Sequence, residues 1–246
     1  MSAHLLGIHA VEEALAAGRP LNRIIVARGQ HGGRIQRIVD LARSRGVPVR
    51  FEDRAQMDRS AGSQRHQGVM AFAASRAAVE LEDLLADANE SQMLVLLDGV
   101  EDPHNVGAIV RTALGAGAAG IVIPERRAVG LTETVLRVSA GALEHLPVAR
   151  VKNMARAMEQ LKEAGYWLIG LDARAEKIYT EVDYRGRVAI VMGSEGAGLH
   201  ELVRKHCDFV VSIAMSGPVG SLNVSVAAGI VLFEAARQRR ATKPNP

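Results

Sequence analysis

Five short apolar runs recur along the chain from residue 93 onward: MLVLLD at 93–98, IVIP at 121–124, and runs over Trp167–Leu171, Arg187–Met192 and Phe209–Ile213. Each has the length of a strand, and stretches expected as helices lie near 105–115, 131–139, 153–164, 199–206 and 222–239. Strands without a polar face need cover on both faces, so the alternation predicts a parallel sheet with helices on both sides. Such a sheet takes its ligands beyond the C-terminal ends of its strands. No apolar run reaches the roughly 18 residues of a membrane span, and Glu12 and Glu13 stand where a secretory signal would carry its apolar core. A cytoplasmic protein with no membrane partner is the expectation. With 48% apolar and 23% charged residues, 246 residues suffice for one large or two modest cores, which excludes disorder as the main state.

The N-terminal residues show a smaller version of the same pattern. A helix over His9–Ala17 stops at Gly18, a strand covers Arg23–Ala27, and Ile35, Ile38, Val39 and Ala42 form one helical stripe that stops at Gly46. Val47–Phe51 and Val69–Phe72 complete the alternation. The division expected is a small α/β domain over 1–75, a linker over 76–90 and a larger domain over 91–246. Charge follows it: residues 1–76 hold 12 Arg, no Lys and 6 acidic residues, a balance of +6, whereas the rest carries −3. Arginine pairs bidentately with phosphate, so the small domain suggests a polyanion grip beside a site that does something else. Only 5 of the chain's 30 basic residues are Lys, so part of the preference belongs to the whole composition. Aromatic residues at 3% argue against modules that stack bases on Phe or Tyr. The polar loop Gly62–Gly68, bracketed by glycines, is a candidate RNA contact as well as an ordinary solvated turn. Cys207 stands alone, which forbids an internal disulfide. No metal site is expected: His200, His206 and Cys207 come nearest to one and read as a helix end.

Gly115, Gly117 and Gly120 spell G-x-G-x-x-G, but here the pattern ends a helix and precedes a strand. A dinucleotide needs the reverse order, with the helix N-terminus meeting the pyrophosphate, so a Rossmann site is not expected. Three other segments each follow a strand. Asp98–Ala113 reads DGVEDPHNVGAIVRTA, in which Asn105 suits a helix cap or a site, and Arg111, about 600° further round, does not share its face. Val191–Leu199 reads VMGSEGAGL, with three glycines that let a ligand approach the backbone and Glu195 among them. Ile213–Ala227 reads IAMSGPVGSLNVSVA, where Ser221 suits an N-cap while Asn223 is a poor choice inside a helix unless its amide has another partner.

Taken in order, these segments resemble the three motifs of the SpoU (TrmH-like) branch of the SPOUT RNA ribose 2′-O-methyltransferases. Gly7–Val11 (GIHAV) and the 62–68 loop resemble the substrate-binding domain of the member that methylates a guanosine in the peptidyl-transferase P loop of bacterial 23S ribosomal RNA. The resemblance implies an α/β protein whose C-terminal parallel-sheet domain is tied in a deep trefoil knot, an exception to the rule against threaded chains, with a small N-terminal α/β RNA-binding domain. It implies S-adenosylmethionine as cofactor, held by Gly193, Gly196, Ile213, Met215 and Leu222, and a homodimer packed through the knotted region. It assigns the reaction to Asn105, Arg111, Glu195, Ser221 and Asn223. An Arg is rarely neutral, which favours Arg111 as an anchor for phosphate and the forming alkoxide over a base. In Pro124–Ala128, Arg127 fits the family pattern and Ala128 departs from the small hydroxyl residue common there. A transfer-RNA methylase and a catalytically idle ribosome-assembly protein are the alternatives; the separate basic domain favours ribosomal RNA.

Overall fold

The computed structural model describes residues 2–61, 65–74, 78–86, 88–125 and 132–241. Gly62–Gln64 of the polar loop and Arg127 and Ala128 lie outside the described residues. The chain forms two compact units, one of residues 1–77 with 131–145, the other of 78–130 with 146–246.

The first unit begins β1 (Ser2–Leu6), α1 (Ile8–Ala16), β2 (Leu21–Ala27), α2 (Gly33–Ser44), β3 (Val49–Glu52), α3 (Arg54–Ala61) and β4 (Val69–Ala74). Its mixed sheet has the order β1-β4-β2-β3, in which only β2 and β3 are parallel. Ile35, Ile38, Val39 and Ala42 are the buried stripe of α2, as the spacing predicts. The described part of the polar loop is fixed from behind. Buried His66 receives the Gly68 N–H on Nδ1 (3.2 Å) and meets Asp58 Oδ1 through Nε2 (2.8 Å), while Gln67 Oε1 accepts from the Ile8 N–H (3.2 Å). Arg28, Arg43, Arg50, Arg54, Arg59 and Arg65 are exposed.

The second unit starts with α4 (Leu81–Ala86), β5 (Met93–Asp98), α5 (Pro103–Gly115) and β6 (Gly120–Pro124). The chain then supplies the first unit with α6 (Glu133–Val138) and a 3-10 turn at Ala142–Glu144. The sequence places this segment inside the 91–246 domain; the structure packs it with the other unit. Apolar burial and charge both hold it there: Val135, Leu136, Ala142 and Leu143 are buried, the Arg19 guanidinium pairs with the Glu144 carboxylate, both nearly inaccessible to solvent, and His145 Nε2 lies 2.8 Å from Glu13 Oε2.

The second unit continues through β7 (Val148–Val151), α7 (Met154–Glu163), β8 (Trp167–Leu171), β9 (Lys177–Ile178), β10 (Val188–Gly193), α8 (Glu201–His206), β11 (Phe209–Ser212) and α9 (Val224–Ala241). All seven strands are parallel, in the order β7-β6-β5-β10-β8-β11-β9. β5 and β10 are buried at every position, which is why their sequences show no polar alternation. Register sets the site: Gly193 pairs with Asp98, and Met192 with Leu171, so the loops after β5, β10 and β8 leave the sheet side by side, with that of β11 next along. Gly115 is the last residue of α5 and Gly120 the first of β6, so the G-x-G-x-x-G glycines link a helix to a strand.

Candidate active site

Proline opens α5 at Pro103, and Asp102 is its N-cap, accepting from the His104 N–H (3.0 Å). That hydrogen bond, foremost among its contacts, holds the Asp102 carboxyl below the usual carboxylate range. Asn105 is therefore free of capping. It lies in the first turn, 7% exposed, and its Nδ2 donates to Glu195 Oε2 (3.2 Å).

Asn223 meets the same pair. Its Nδ2 donates to Asn105 Oδ1 (3.0 Å) and reaches Glu195 Oε1 at 3.5 Å, while its Oδ1 accepts from the backbone N–H (2.9 Å) and hydroxyl (2.6 Å) of Ser225. α9 begins at Val224, so Asn223, and not Ser221, stands at the cap, and its amide is the free end that a cap leaves over. Residues separated by 90 and 118 positions thus form one amide–carboxylate cluster at the ends of β5, β10 and β11. Both carboxylate oxygens of Glu195 face amide donors, which fixes its loop. Arg111 is not part of it: it is exposed on α5, with no hydrogen bond or ion pair seen among the described residues, as the 600° offset implies.

Two cavities flank the cluster. The first, about 840 Å³ of empty space counting its open mouth, is walled by the Gly193–Gly198 turn, by Leu171–Arg174 and by the stretch from Ile213 to Ala227. Gly193, Gly196, Ile213, Met215, Leu222 and Ser221 all line it. The second, about 990 Å³ on the same footing, is lined by Gly99–Asp102, Asn105, Ser194, Glu195, His200 and Val224, so the two meet at Ser194, Glu195 and Val224. The sequence reading missed one wall of the first cavity. Asp172, 3% exposed at the end of β8, grips Arg174 through both oxygens (3.0 and 2.8 Å), and Arg204 Nε lies 3.5 Å away. The Arg174 side chain, foremost, holds its carboxyl below the ordinary range. An acidic residue closing an apolar strand was the available signal.

Walls of this kind fit a particular ligand. Backbone groups of two glycine-bearing loops and apolar side chains suit a flat heteroaromatic base and a short, largely apolar chain. The one basic side chain on them, Arg174, is already paired with Asp172, so no free cationic side chain on these walls faces the ligand. Among the described residues no group of three or more His, Cys, Asp or Glu could hold a metal ion, and no helix is long and apolar enough to cross a membrane.

Two cavities that share a wall at Ser194, Glu195 and Val224 suit a donor and an acceptor held side by side, the arrangement a group-transfer enzyme needs. Comparison with known proteins makes the class specific. The model of the SpoU rRNA Methylase family matches residues 92–233, and that of the RNA 2′-O ribose methyltransferase substrate-binding domain matches 5–78. A protein of Bacillus subtilis, YacO, named as a TrmH family tRNA/rRNA methyltransferase, is 44% identical over 96% of both chains. The AdoMet-bound rRNA methyltransferase of Sinorhizobium meliloti superposes with a TM-score of 0.82 at 26% identity, over 96% of this chain and 87% of that one. The TrmH/SpoU tRNA modifying enzyme of A. aeolicus superposes with a TM-score of 0.56 at 27% identity, over 65% of this chain and 83% of its own. The chain belongs to the SpoU rRNA methylase family, and its activity is S-adenosylmethionine-dependent methylation of RNA at the ribose 2′-oxygen.

Proposed function

We propose that the target is the ribose of a guanosine in 23S ribosomal RNA, methylated by a homodimer. The observation that carries this reading is coverage: the structure named for ribosomal RNA matches 96% of this chain, the one named for transfer RNA 65%. A separate substrate-binding unit rich in exposed arginine is what a large folded RNA calls for, since phosphate contacts position the substrate before its target is read. In that unit Arg23 stacks on Phe72, 4.1 Å from the ring centroid, and Arg19 and Arg34 pair with Glu144 and Glu12, which leaves exposed arginines such as Arg43, Arg50, Arg54, Arg59 and Arg65 for phosphate. The dimer reading rests on α9, where Val226 and Phe233, two turns apart, are 52% and 47% exposed, an apolar face suited to a second copy of the chain.

Bound S-adenosylmethionine supplies a methyl already activated on sulfonium. The protein's share is alignment. Gly193, Gly196, Ile213, Met215 and Leu222 hold the cofactor; Glu195, fixed by the amides of Asn105 and Asn223, sets the wall common to both cavities; Ser221 orients the ribose. Arg111 anchors the phosphate beside that ribose and offsets the charge of the forming alkoxide.

Ribose-methylation mass spectrometry of ribosomal and transfer RNA from a strain lacking the gene tests the target. One 2′-O-methylguanosine missing from 23S RNA is expected. A missing methyl in transfer RNA, with 23S RNA intact, overturns the assignment.

A further inference from the structure

The reaction also needs somewhere to send the proton of the 2′-hydroxyl, and the cluster of Asn105, Glu195 and Asn223 is badly suited to take it. Glu195 has both oxygens turned to amide donors, a carboxylate is in any case a weak base for a ribose hydroxyl, and an arginine is almost never neutral. Imidazole is the side chain whose ordinary proton affinity lies nearest neutral pH.

One imidazole lines the second cavity. His200 stands just before α8 and is gripped twice by Asp98, which is 5% exposed at the end of β5. The His200 backbone N–H donates to Asp98 Oδ2 (2.8 Å), and ring Nδ1 lies 2.9 Å from Oδ1. A carboxylate only accepts, so this contact puts the ring proton on Nδ1 and leaves the lone pair on Nε2. Nε2 has no hydrogen-bond partner among the described residues, and the side chain is 55% exposed at the cavity. Gly99 makes room for it, since a Cβ there would stand 3.0 Å from the ring's Cε1. Besides His200, the titratable side chains that line the cavity are Glu101 and Asp102 from the loop after β5 and Glu195 from the loop after β10; Asp98 stands behind the imidazole, His104 Nδ1 lies 3.3 Å from Asp102 Oδ1, and Arg204, one turn into α8, is turned to Asp172.

From this geometry we infer that His200 is the general base for the 2′-hydroxyl, with Asp98 as the residue that fixes its tautomer and orientation. The inference rests on ribose methylation as the reaction and is independent of which RNA carries the ribose. The 2′-oxygen gives its proton to Nε2, and the freed electron pair forms the bond to the methyl carbon. The carbon–sulfur bond breaks with its pair left on sulfur, and the proton on Nε2 passes to solvent. The logic is that of a histidine held by a buried carboxylate in hydrolases, applied to a ribose hydroxyl.

The test uses the full chain, tritiated-methyl S-adenosylmethionine and total RNA from a strain lacking the gene, in single turnovers across about pH 5 to 9. Wild-type rates are expected to rise with pH and level off, and His200→Gln to lose about 100-fold near neutrality and to keep rising without the plateau. The backbone N–H of residue 200 still donates to Asp98 and a glutamine amide can replace the ring donor, so the melting temperature is expected to fall little and the calorimetric affinity for S-adenosylmethionine to stay unchanged. Nitrogen-15 NMR of the imidazole, a readout independent of activity, shows the Nδ1–H tautomer, and Asp98→Asn shifts it toward Nε2–H. A His200→Gln enzyme with the wild-type rate and plateau overturns the inference, as does an Nε2–H tautomer in the wild type. Size fractionation of the labelled RNA separates the two readings, because label in transfer RNA refutes the 23S target and leaves the His200 comparison standing.

Discussion

Replacing Gly193 by alanine is the strongest single test of how the cofactor pocket is built. A Cβ at this position would lie 2.2 Å from the carbonyl carbon of Gly198, 2.4 Å from its oxygen and 2.4 Å from the nitrogen of Leu199. Ordinary contact between non-bonded carbons begins near 3.5 Å, so the shortfall is about 1 Å against three backbone atoms, none of which can rotate away. Relief requires opening the 194–198 turn, which two hydrogen bonds close, Ser194 N–H to Gly198 O (2.9 Å) and Gly198 N–H to Ser194 O (3.0 Å). Overpacking costs about 1–3 kcal/mol and each lost bond about 1 kcal/mol, a sum of about 3–5 kcal/mol. Opening the turn also removes a wall of the pocket. Gly193→Ala is therefore expected to lower the urea midpoint and to weaken S-adenosylmethionine binding, measured by calorimetry, by at least about 100-fold. Gly196→Ala is the control. Its φ of +82° costs about 1–2 kcal/mol for a side chain, but nothing lies within 4 Å of its Cβ, so the turn can stay closed. A Gly193→Ala protein with wild-type stability and affinity would refute the close approach of the two loop limbs.

Arg111→Ala should leave the melting temperature nearly unchanged, since the side chain is exposed and braces nothing described; single-turnover methylation should fall about 100-fold, roughly 3 kcal/mol, and Arg111→Lys should restore little of it. Retention of the wild-type rate would remove Arg111 from the mechanism. Glu144→Ala deprives the buried Arg19 guanidinium of its carboxylate, for an expected loss of about 3–5 kcal/mol in the first unit, visible as an earlier step in thermal unfolding; a change within about 0.5 kcal/mol would show the pair to be dispensable. Asp172 has its carboxyl held below the usual range by Arg174, so its contribution to stability is fully present above about pH 4 and is lost as pH falls through the folded-state value. Asp172→Asn should accordingly flatten the acid limb of a stability–pH curve, and an unchanged limb would contradict the sign.

How much of this was legible in the sequence depends on the range of the interaction that makes each element. β5 and β10 could be read because burial on both faces leaves an unbroken apolar run, and the three loops because a parallel sheet exposes its ligand sites at fixed strand ends. β1 and β7 could not. Ser2–Leu6 becomes a strand by pairing with Ala74–Met70 far along the chain, and Val148–Val151 is four residues with an exposed Arg150. α3 has only Met57 and Ala61 on its buried side, too few for a periodicity. In the site, the glycines and amides could be picked out as types, but what they touch could not. Asn223 looked misplaced inside a helix until α9 proved to start one residue later, and the joint hold of Asp98 on His200 spans 102 residues.

Because the 131–145 segment completes the first unit, that unit is not one contiguous stretch of chain. During synthesis Arg19 leaves the ribosome long before Glu144, its buried counterpart, which is 125 residues further on. The first unit therefore cannot be completed while only its own N-terminal stretch has emerged. More than half of the chain must emerge before the N-terminal sheet receives its last helix, and by then β5, α5 and β6 of the methylase sheet are already present. A cut after residue 77, the natural place to separate the two from sequence, would therefore leave the first unit incomplete and strand its 131–145 segment on the piece that carries the second.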